Sequence, residues 1–375
     1  MNDQRQGKIP TIHDVARTAD VGIGTVSRVI NDSPGVKPAT RQRVLAAIDV
    51  LHYSPNLIAR SMTSRRTGSV GVIVPFFTRP FFMEILRAVE VTITQAGREL
   101  VLYNVQTNDQ CDSYFRKLPK QRKVDGLLVI SIFPDDAAAA GFKHAGMPVV
   151  LVDAYHPLLT SLVVDNVEGA YQAVKCLIEH GHRRIGFING IIEGDFRFNR
   201  ANDRLIGLHR AIGEAGLPFE PELVLTAEWD RQGGRRAALQ LLMRADRPTA
   251  IFAASDMHAI GVLEAARSLN IAVPTDLSLI GYDGIELSEI MELSTVQQPM
   301  KYMGELGAQK LIAQVEGSAD GGSAPELIRL RPSLIMRRTI TTPPPLSEAT
   351  NEAEVPDLGV TEKGKMKNVK HKELS

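Results

Sequence analysis

Residues 11–31 read TIHDVARTADVGIGTVSRVIN, and this stretch decides the fold of the N-terminal part of the chain. Apolar residues recur at helical spacing in both of its halves, namely Ile12, Val15 and Ala16, and then Val26, Val29 and Ile30. Thr11, followed three residues later by Asp14, has the pattern of a helix N-cap with a capping box. A connection containing Gly22 separates the two helical patterns. Two short helices joined by a glycine-containing turn predict a helix-turn-helix.

A third helical pattern follows between Pro38 and Tyr53. Its apolar positions have helical spacing: Val44, Leu45, Ala47, Ile48 and Leu51. Because so short a segment buries only a small core, we expect a small all-helical head over residues 9–54, preceded by a disordered segment at residues 1–8.

From Ser69 onward, short apolar runs alternate with helical patterns. The apolar runs are Val70–Pro75, Leu100–Val105, Gly126–Ser131, Val149–Asp153, Ile185–Asn189, Ala250–Ala254 and Leu277–Tyr282. Alternation of strands and helices at this spacing predicts parallel sheets with helices on both faces. A segment of about 270 residues is large for one sheet and suits two, with the first sheet ending near Asp165. We therefore predict an α/β body after the helical head.

The 375 residues carry 43 Lys and Arg against 43 Asp and Glu, so the formal net charge is zero. The charge is unevenly distributed, with +5 on residues 1–66, −4 on residues 67–341 and −1 on residues 342–375. A basic head on a mildly acidic body favours contact between the head and nucleic acid or an anionic membrane.

Two cysteines, Cys111 and Cys176, form neither a disulfide framework nor a metal-binding spacing. The N-terminus is polar and lacks the apolar segment of a signal peptide, and no apolar run approaches the ~20 residues that span a bilayer. We therefore expect a cytoplasmic protein with no membrane contact, no metal and no cofactor.

The head stretch resembles the DNA-binding head of the lac/galactose repressor (LacI/GalR) family. The similarity continues through Thr25–Asn31, Thr40–Ile48 and Tyr53–Ser61 in the head, and through Val124–Leu128, Gly181–Phe187, Arg247–Ile251 and Val273–Asp283 in the body. The body stretches resemble the effector-binding core of that family, which is itself similar to periplasmic sugar-binding proteins. The resemblance covers residues 9 to about 340.

The resemblance implies a hinge helix and linker at residues 55–68 and an effector-binding, dimerising domain at residues 69–341, followed by a tail at residues 342–375 that we expect to be disordered. It implies two doubly wound parallel-sheet subdomains of the type I periplasmic-binding-protein kind. Their predicted segments are about 69–163 plus 299–325, and 164–296 plus 327–341.

The second helix of a helix-turn-helix enters the major groove with its N-terminal residues facing base edges. Arg28 can pair in bidentate fashion with a guanine, a contact worth ~1–3 kcal/mol of discrimination. Ile23 can contact a thymine methyl, and Gly24 allows close backbone approach. The DNA contacts predicted for the head are Thr11, Ile23, Gly24, Thr25, Ser27, Arg28, Asn31 and Thr40. The short polar residues among them suit phosphate contacts, although Thr25 and Ser27 are also compatible with a merely solvated helix face.

The hinge segment supplies a second group of predicted DNA contacts, which are Asn56, Ala59, Arg60 and Met62. Pro55 suits the first turn of a short helix. In the family a leucine inserts into the minor groove at the position that Met62 occupies here, and methionine is among the side chains that act as such wedges. The alternative is that Met62 is an exposed linker residue with no role.

Ligands of parallel α/β sheets bind at the carboxyl ends of the strands. By this argument and by the resemblance, the predicted effector contacts are Phe81, Phe82, Asp153, Arg204, Trp229, Ser255, Asp256, Asp283 and Gln298. Carboxylates and amides hydrogen-bond vicinal hydroxyls, and aromatic faces cover the C–H side of a sugar ring or stack on a purine. We expect a sugar or sugar derivative. Phe81 or Phe82 is also compatible with a core position, and Asp283 with a helix cap.

The segment 193–204 adds Arg197 and Arg200 to Arg204 and is longer than the family's usual connection. One hypothesis is that these cations accept an anionic effector such as a uronate or phosphosugar. The alternative is a solvated loop.

The leading hypothesis is a sequence-specific repressor with no enzyme activity, controlled by a small-molecule effector. The resemblance implies a homodimer on a pseudo-palindromic operator in double-stranded DNA, and the tail lacks the apolar heptads that build tetramers. Whether the effector releases DNA or promotes binding stays open. A periplasmic solute receptor is disfavoured by the basic head, and an enzyme by the absence of nucleophile-elbow, P-loop and HExxH motifs.

Overall fold

A computed structural model describes residues 10–30, 32–53, 67–191, 200–317 and 324–343. Several predicted features lie outside the described residues: the segment 1–8, Asn31, the hinge with Asn56, Ala59, Arg60 and Met62, Arg197, the side chain of Arg200, and the tail from residue 344 onward.

Three helices form the head, as predicted: α1 (Ile12–Thr18), α2 (Ile23–Ile30) and α3 (Pro38–Leu51). The backbone N–H of Thr11 donates to Asp14 Oδ2 at 3.0 Å, which caps α1 as the sequence pattern indicates. The helices enclose a small apolar core composed of Val15, Ala16, Ala19, Val26, Val29, Val44 and Ala47.

The body contains twelve described strands. They are β1 (Ser69–Pro75), β2 (Glu99–Val105), β3 (Leu127–Ile130), β4 (Val149–Val152), β5 (Thr160–Val164), β6 (Ile185–Gly190), β7 (Val224–Ala227), β8 (Ala250–Ala253), β9 (Ser278–Asp283), β10 (Thr295–Gln297), β11 (Leu327–Leu330) and β12 (Ser333–Ile335). All seven apolar runs singled out in the sequence form strands.

Nine described helices accompany these strands. They are α4 (Pro80–Gln95), α5 (Asn108–Gln121), α6 (Asp136–His144), α7 (Asn166–Glu179), α8 (Arg200–Glu214), α9 (Arg231–Leu242), α10 (Asp256–Ser268), α11 (Glu286–Ile290) and α12 (Met300–Glu316), with a short 3₁₀ turn at Pro221–Leu223. None of the helices within the described ranges combines the length and apolarity needed to cross a membrane.

The strands build two six-stranded sheets, which confirms the doubly wound α/β prediction. The first has the order β11-β5-β4-β3-β1-β2, and the second has the order β12-β10-β9-β8-β6-β7. Every pairing is parallel except β10 with β12. Val72 and Ile73, neighbours in β1, belong to apolar cores on opposite faces of the first sheet. Phe187 and Ile188 in β6 do the same in the second sheet, as expected for sheets covered by helices on both faces.

One predicted subdomain boundary needs correction. The resemblance predicts that segment 327–341 belongs to the second subdomain, but Leu327–Leu330 pairs in parallel with Thr160–Val164 at the edge of the first sheet. The chain crosses to the second subdomain only after Leu330, because the next strand, Ser333–Ile335, pairs with β10. A short, half-exposed edge strand carries no pattern that identifies its sheet.

Candidate functional site

The N-terminal end of α2 presents the side chains predicted to contact bases. Ile23 is 42% exposed, whereas Val26 and Val29 on the same helix are buried in the head core. Arg28 is exposed one turn further along, and its Nε donates to the carbonyl oxygen of Gly24 at 3.2 Å. These three positions therefore form one accessible surface at the start of α2.

The two glycines at this helix start have different roles. The carbonyl oxygen of Gly22 accepts from the backbone N–H groups of Thr25 and Val26 at 2.8 and 3.2 Å, so Gly22 begins the helix without a capping side chain. At Gly24, an added Cβ would meet only Arg28 Nη2, at 4.0 Å. The fold has room for a side chain at position 24, so a requirement for glycine there would come from a partner surface.

The remaining predicted DNA contacts of the head are placed by local hydrogen bonds and packing. The hydroxyl of Thr11 donates to Asp14 Oδ2 at 2.7 Å. Thr25, Ser27 and Thr40 are half-buried on the helices of the head. The loop between α2 and α3, near Thr40, is fixed by Arg41, which donates to Asp32 Oδ1 at 2.6 Å and to the carbonyl oxygen of Ser33 at 3.0 Å.

A cleft of the body lies where strands of the two sheets reach their carboxyl ends. It has about 620 Å³ of space not filled by atoms, including its mouth. Its lining consists of Arg79, Pro80, Phe81, Phe82, Arg204, Trp229, Ser255, Met257, Asp283 and Ile285. The first four residues come from the segment after β1, and the others come from the second subdomain.

Six of the nine predicted effector contacts line this cleft: Phe81, Phe82, Arg204, Trp229, Ser255 and Asp283. Asp153, Asp256 and Gln298 do not line it. Sequence reasoning missed four lining residues, which are Arg79, Pro80, Met257 and Ile285. A signal for the first two was present, since an Arg-Pro pair directly precedes the predicted aromatic residues.

Arg204 is the best-connected side chain of the cleft and is only 1% exposed. Its Nε donates to Asn166 Oδ1 at 3.1 Å, and its Nη1 donates to the carbonyl oxygen of Ala254. Its Nη2 lies 3.7 Å from Asp283 Oδ1, and its guanidinium lies 3.7 Å from the ring centre of Tyr282. Burial raises the pKa of the Tyr282 phenol, so the ring is neutral beneath the cation. Arg204 is thus a fixed, internally satisfied cation.

Asp283 is held at the end of β9 from two sides. Besides the ion pair with Arg204, its Oδ1 accepts from Gln298 Nε2 at 2.8 Å. Its backbone has a φ of 117°, a conformation that favours glycine and that the surrounding contacts enforce. Gln298 is 2% exposed and orients Asp283 from behind, which is why it does not reach the cleft lining itself.

Asp256 is also drawn away from the cleft, by backbone donors. Its Oδ2 accepts from the N–H groups of Gly284 and Ile285 at 2.8 and 2.9 Å, and its Oδ1 accepts from the Thr295 hydroxyl at 2.5 Å. Burial, followed by the nearby Asp283 carboxylate, raises the pKa of Asp256 above its usual range, and these donors oppose the shift. Asp256 therefore fixes the loop that carries Asp283 and Ile285.

Asp153 is placed at the end of β4, where the sequence put it, but it is 4% exposed and bonded inside the first subdomain. The hydroxyl of Ser131 donates to its Oδ2 at 2.8 Å. The two residues follow neighbouring strands, so their side chains meet each other.

Trp229 is positioned by a glycine and a histidine. Its Nε1 donates to the carbonyl oxygen of Ile191 at 3.3 Å, and its ring stacks on His258 with centroids 5.5 Å apart. A Cβ on Gly190 would lie 1.9 Å from the Trp229 ring, so the ring occupies space that only glycine leaves open. His258 donates through Nε2 to the Glu228 carbonyl oxygen at 2.7 Å, and burial lowers its pKa to about 4.

Phe81 and Phe82 begin α4 and pack edge to face with centroids 5.2 Å apart. They are 8% and 5% exposed and belong to the apolar core that includes Ile85 and Val89. Both therefore serve as cleft wall and as core, which combines the two alternatives left open by the sequence.

A helix-turn-helix head followed by a two-subdomain core with a polar and aromatic cleft defines a DNA-binding regulator with a ligand-binding domain. Residues 11–56 match the family of bacterial regulatory proteins of the lacI type, and residues 174–340 match the periplasmic binding protein-like domain. The HTH-type transcriptional repressor PurR of Shigella sonnei (strain Ss046) is 36% identical over 340 residues, covering 89% of this chain and 98% of the relative. PurR of Escherichia coli (strain UTI89 / UPEC) has the same identity and coverage.

Two solved structures are also similar. The transcriptional regulator CelR in complex with cellobiose is 32% identical, with a TM-score of 0.64 over 88% of this chain and 99% of that one. The lac repressor dimer bound to operator and the anti-inducer ONPF is 27% identical, with a TM-score of 0.77 over 89% of this chain and 100% of that one. The chain belongs to the LacI family. It is a DNA-binding transcriptional repressor with a ligand-binding domain, and its relatives are repressors rather than enzymes.

Proposed function

We propose that this repressor acts as a homodimer on a pseudo-palindromic operator and that a sugar or sugar derivative bound in the cleft controls its DNA affinity. The observation that carries the effector class is the composition of the cleft. Aromatic faces from Phe81, Phe82 and Trp229 share one cavity with the Arg204–Asp283 ion pair.

This combination matches the two surfaces of a pyranose ring. Aromatic rings cover the apolar C–H face of the sugar, and the Asp283 carboxylate accepts hydrogen bonds from vicinal hydroxyls. Because Gln298 and Arg204 hold Asp283 in place, the site loses little conformational freedom on binding.

The relatives support both halves of the proposal, the effector class and the binding of a dimer to operator DNA. CelR was solved with cellobiose, and it is 32% identical over nearly the whole chain. The lac repressor was solved as a dimer on its operator, and its fold matches that of this chain.

On the DNA side, Ile23, Gly24 and Arg28 form the base-reading surface, since they are accessible together at the start of α2. Thr11, Thr25, Ser27 and Thr40, with Asn31, are assigned to phosphate contacts. Asn56, Ala59, Arg60 and Met62 are assigned to the hinge contacts, with Met62 as the minor-groove wedge.

Control of DNA binding follows from differential affinity of the effector for two arrangements of the subdomains. The cleft is lined by residues of both subdomains. A ligand that contacts both walls therefore favours one arrangement, and the segment that links head and body carries the change to the DNA.

Operator selection from a random DNA library with the full chain, followed by fluorescence anisotropy, tests the DNA half of the proposal. A pseudo-palindromic site bound by a dimer is expected, and a site read by a single head would contradict it.

Isothermal titration with hexoses, disaccharides, their acids and phosphates, and nucleobases tests the effector half. Binding of a sugar that changes operator affinity supports the proposal, and the sign of that change distinguishes inducer from corepressor. Binding of nucleobases alone would overturn the sugar assignment.

A further inference from the structure

Arg79 gives the effector cleft a positive charge that no acid of the described structure neutralises at close range. Resting on the proposed function of the cleft, we propose that the effector carries an anionic oxygen group, as in a sugar acid or a sugar phosphate, and that Arg79 binds this group.

The position of Arg79 is defined by the start of α4. Arg79 precedes Pro80, the first residue of that helix, and its backbone N–H donates to the carbonyl oxygen of Phe76 at 2.9 Å. Its guanidinium lies over the Phe76 ring, 4.1 Å from the centroid. The side chain lines the cleft and is half-buried. An aromatic face, not a carboxylate, therefore holds this cation.

The charges of the lining are unbalanced. Among the described lining residues there are two guanidinium groups and a single carboxylate, Asp283. Arg204 uses that carboxylate together with Asn166 and the Ala254 carbonyl group. Arg79 has no carboxylate within 4 Å among the described side chains, and Asp230 acts on it only at longer range.

Burial lowers the pKa of Arg79, which reflects partial loss of its hydration, with Asp230 opposing the shift. A neutral effector that closed the cleft would deepen this loss and would offer the guanidinium only neutral hydroxyl acceptors in place of water. An anionic group would replace it with charge-assisted hydrogen bonds. The guanidinium fork suits both carboxylate and phosphate oxygens.

The helix that follows Arg79 adds to the same preference. α4 is a 16-residue helix whose N-terminus faces the cleft, and within the described part of the chain no side chain caps it. The N-terminal end of a helix carries partial positive charge and favours anions. By contrast, the N-terminus of α10 is already used, because the Ser255 hydroxyl oxygen accepts from the backbone N–H of His258 at 3.1 Å.

The cation assigned to the anionic group, Arg79, is not one of the arginines that the sequence suggested for this role. The hypothesis of an anionic effector rested on Arg197 and Arg200, which lie outside the described side chains, and on Arg204, which is satisfied within the fold. Arg79 supplies the available charge from the opposite wall of the cleft.

The test is isothermal titration of the full chain with three matched sets of sugars, one for each of glucose, galactose and mannose. Each set contains the neutral sugar, its uronate and its 6-phosphate. Inorganic phosphate serves as a control for binding of the ion alone. We expect one charged sugar to bind more tightly than its neutral parent. Arg79→Gln should weaken that ligand about 30-fold or more while changing the affinity for the parent less than about twofold. Arg79→Lys should retain part of the affinity because it keeps the charge.

Arg87→Gln is the matched control, since Arg87 lies on α4, the helix that directly follows Arg79, is exposed and pairs with Glu84 at 3.7 Å. It should leave all affinities unchanged, and the melting temperature of each variant reports that it is folded. An equal loss of charged and neutral sugars in Arg79→Gln would overturn the role of Arg79 while leaving the sugar assignment intact. Tighter binding of the neutral parent than of the charged sugar would also overturn the role of Arg79 and leave the sugar assignment intact. Binding of phosphate as tight as that of the sugar phosphate would reduce the site to a simple ion site. If no sugar of either kind binds, the proposed effector class itself fails.

Discussion

Replacing Arg204 by methionine removes the central cation of the cleft and keeps an unbranched side chain over the Tyr282 ring. In the native chain the two partners of the Arg204–Asp283 pair have side chains only 2% and 11% exposed. The variant removes the pairing of the buried Asp283 carboxylate with Arg204. It also removes the Nε donor of Asn166 Oδ1 and the Nη1 donor of the Ala254 carbonyl oxygen.

The expected cost follows from this geometry. Two charges 3.7 Å apart interact by about 4 kcal/mol at an effective dielectric constant of about 20. Removing one member of a buried pair typically costs about 3–5 kcal/mol, because the remaining charge is uncompensated. For a core of roughly 270 residues, each kcal/mol corresponds to about 2–4 °C in melting temperature. We therefore expect Arg204→Met to melt about 6–20 °C below the native chain.

The assay is differential scanning calorimetry at one fixed protein concentration without effector, because the proposed dimerisation would make the melting temperature concentration-dependent. Arg210→Met is the matched control. Arg210 lies on the same helix, pairs with Glu168 and Glu214 at 3.1 and 3.0 Å, and covers the Tyr171 ring, but it is exposed. Its replacement should change the melting temperature little, since water screens exposed pairs.

A second variant separates the electrostatic effect of Arg204→Met from its effect on packing. Adding Asp283→Asn to Arg204→Met removes the carboxylate that has lost its pairing with Arg204, so the double variant should recover part of the lost stability while still failing to bind effector. If Arg204→Met melts no lower than Arg210→Met, the buried pair does not stabilise the core. If Asp283→Asn restores nothing in the double variant, the loss comes from packing and the electrostatic argument is wrong.

Three further variants test other parts of the molecule. Arg28→Ala should lower operator affinity by about 1–3 kcal/mol at one base pair, as anisotropy with single-base operator variants would show; an equal loss for every operator would argue against base reading. Gly190→Ala should displace the ring of Trp229, the only tryptophan, and so shift the fluorescence emission and weaken effector binding; an unchanged spectrum would refute this. The pKa of His258 falls from 6.5 to about 4 on folding, so its neutral form stabilises the fold above pH 6.5, and this contribution is lost as the pH falls towards 4. His258→Gln, measured by urea unfolding, should therefore lose less stability than the native chain over that range, and parallel curves would contradict the assignment.

Six of the seven strands that the sequence predicted are buried along their length, and the seventh, Glu99–Val105, is a half-exposed edge strand whose run Leu100–Val105 is still largely apolar. Val149–Val152 and Ala250–Ala253 are continuous apolar runs because helices cover both sides of each sheet. Val224–Ala227 and Leu327–Leu330 escaped prediction because each is only four residues long and lies at a sheet edge, where a polar, exposed side chain interrupts so short an apolar run. Their pairing partners are set by contacts distant in the sequence.

In the effector site, too, the sequence predicted some features and left others to the tertiary structure. Residue type and strand position sufficed to find Arg204, Trp229 and Asp283. They did not separate these residues from Asp256 and Gln298, which also follow strands but direct their polar atoms to backbone donors or to Asp283.

By itself, the sequence determined the helix-turn-helix, the strand–helix alternation and the candidate polar residues, because periodicity and capping are properties of neighbouring residues. Only the tertiary structure decided which polar groups face the cleft and which support it. A buried carboxylate takes the nearest donors, and those donors come from strand ends brought together by the sheet order. The proposed role of Arg79 in binding an anionic group also depends on the tertiary structure. Its charge is unmatched only because the fold places it beside Phe76 in the cleft, with no described carboxylate within ion-pair distance.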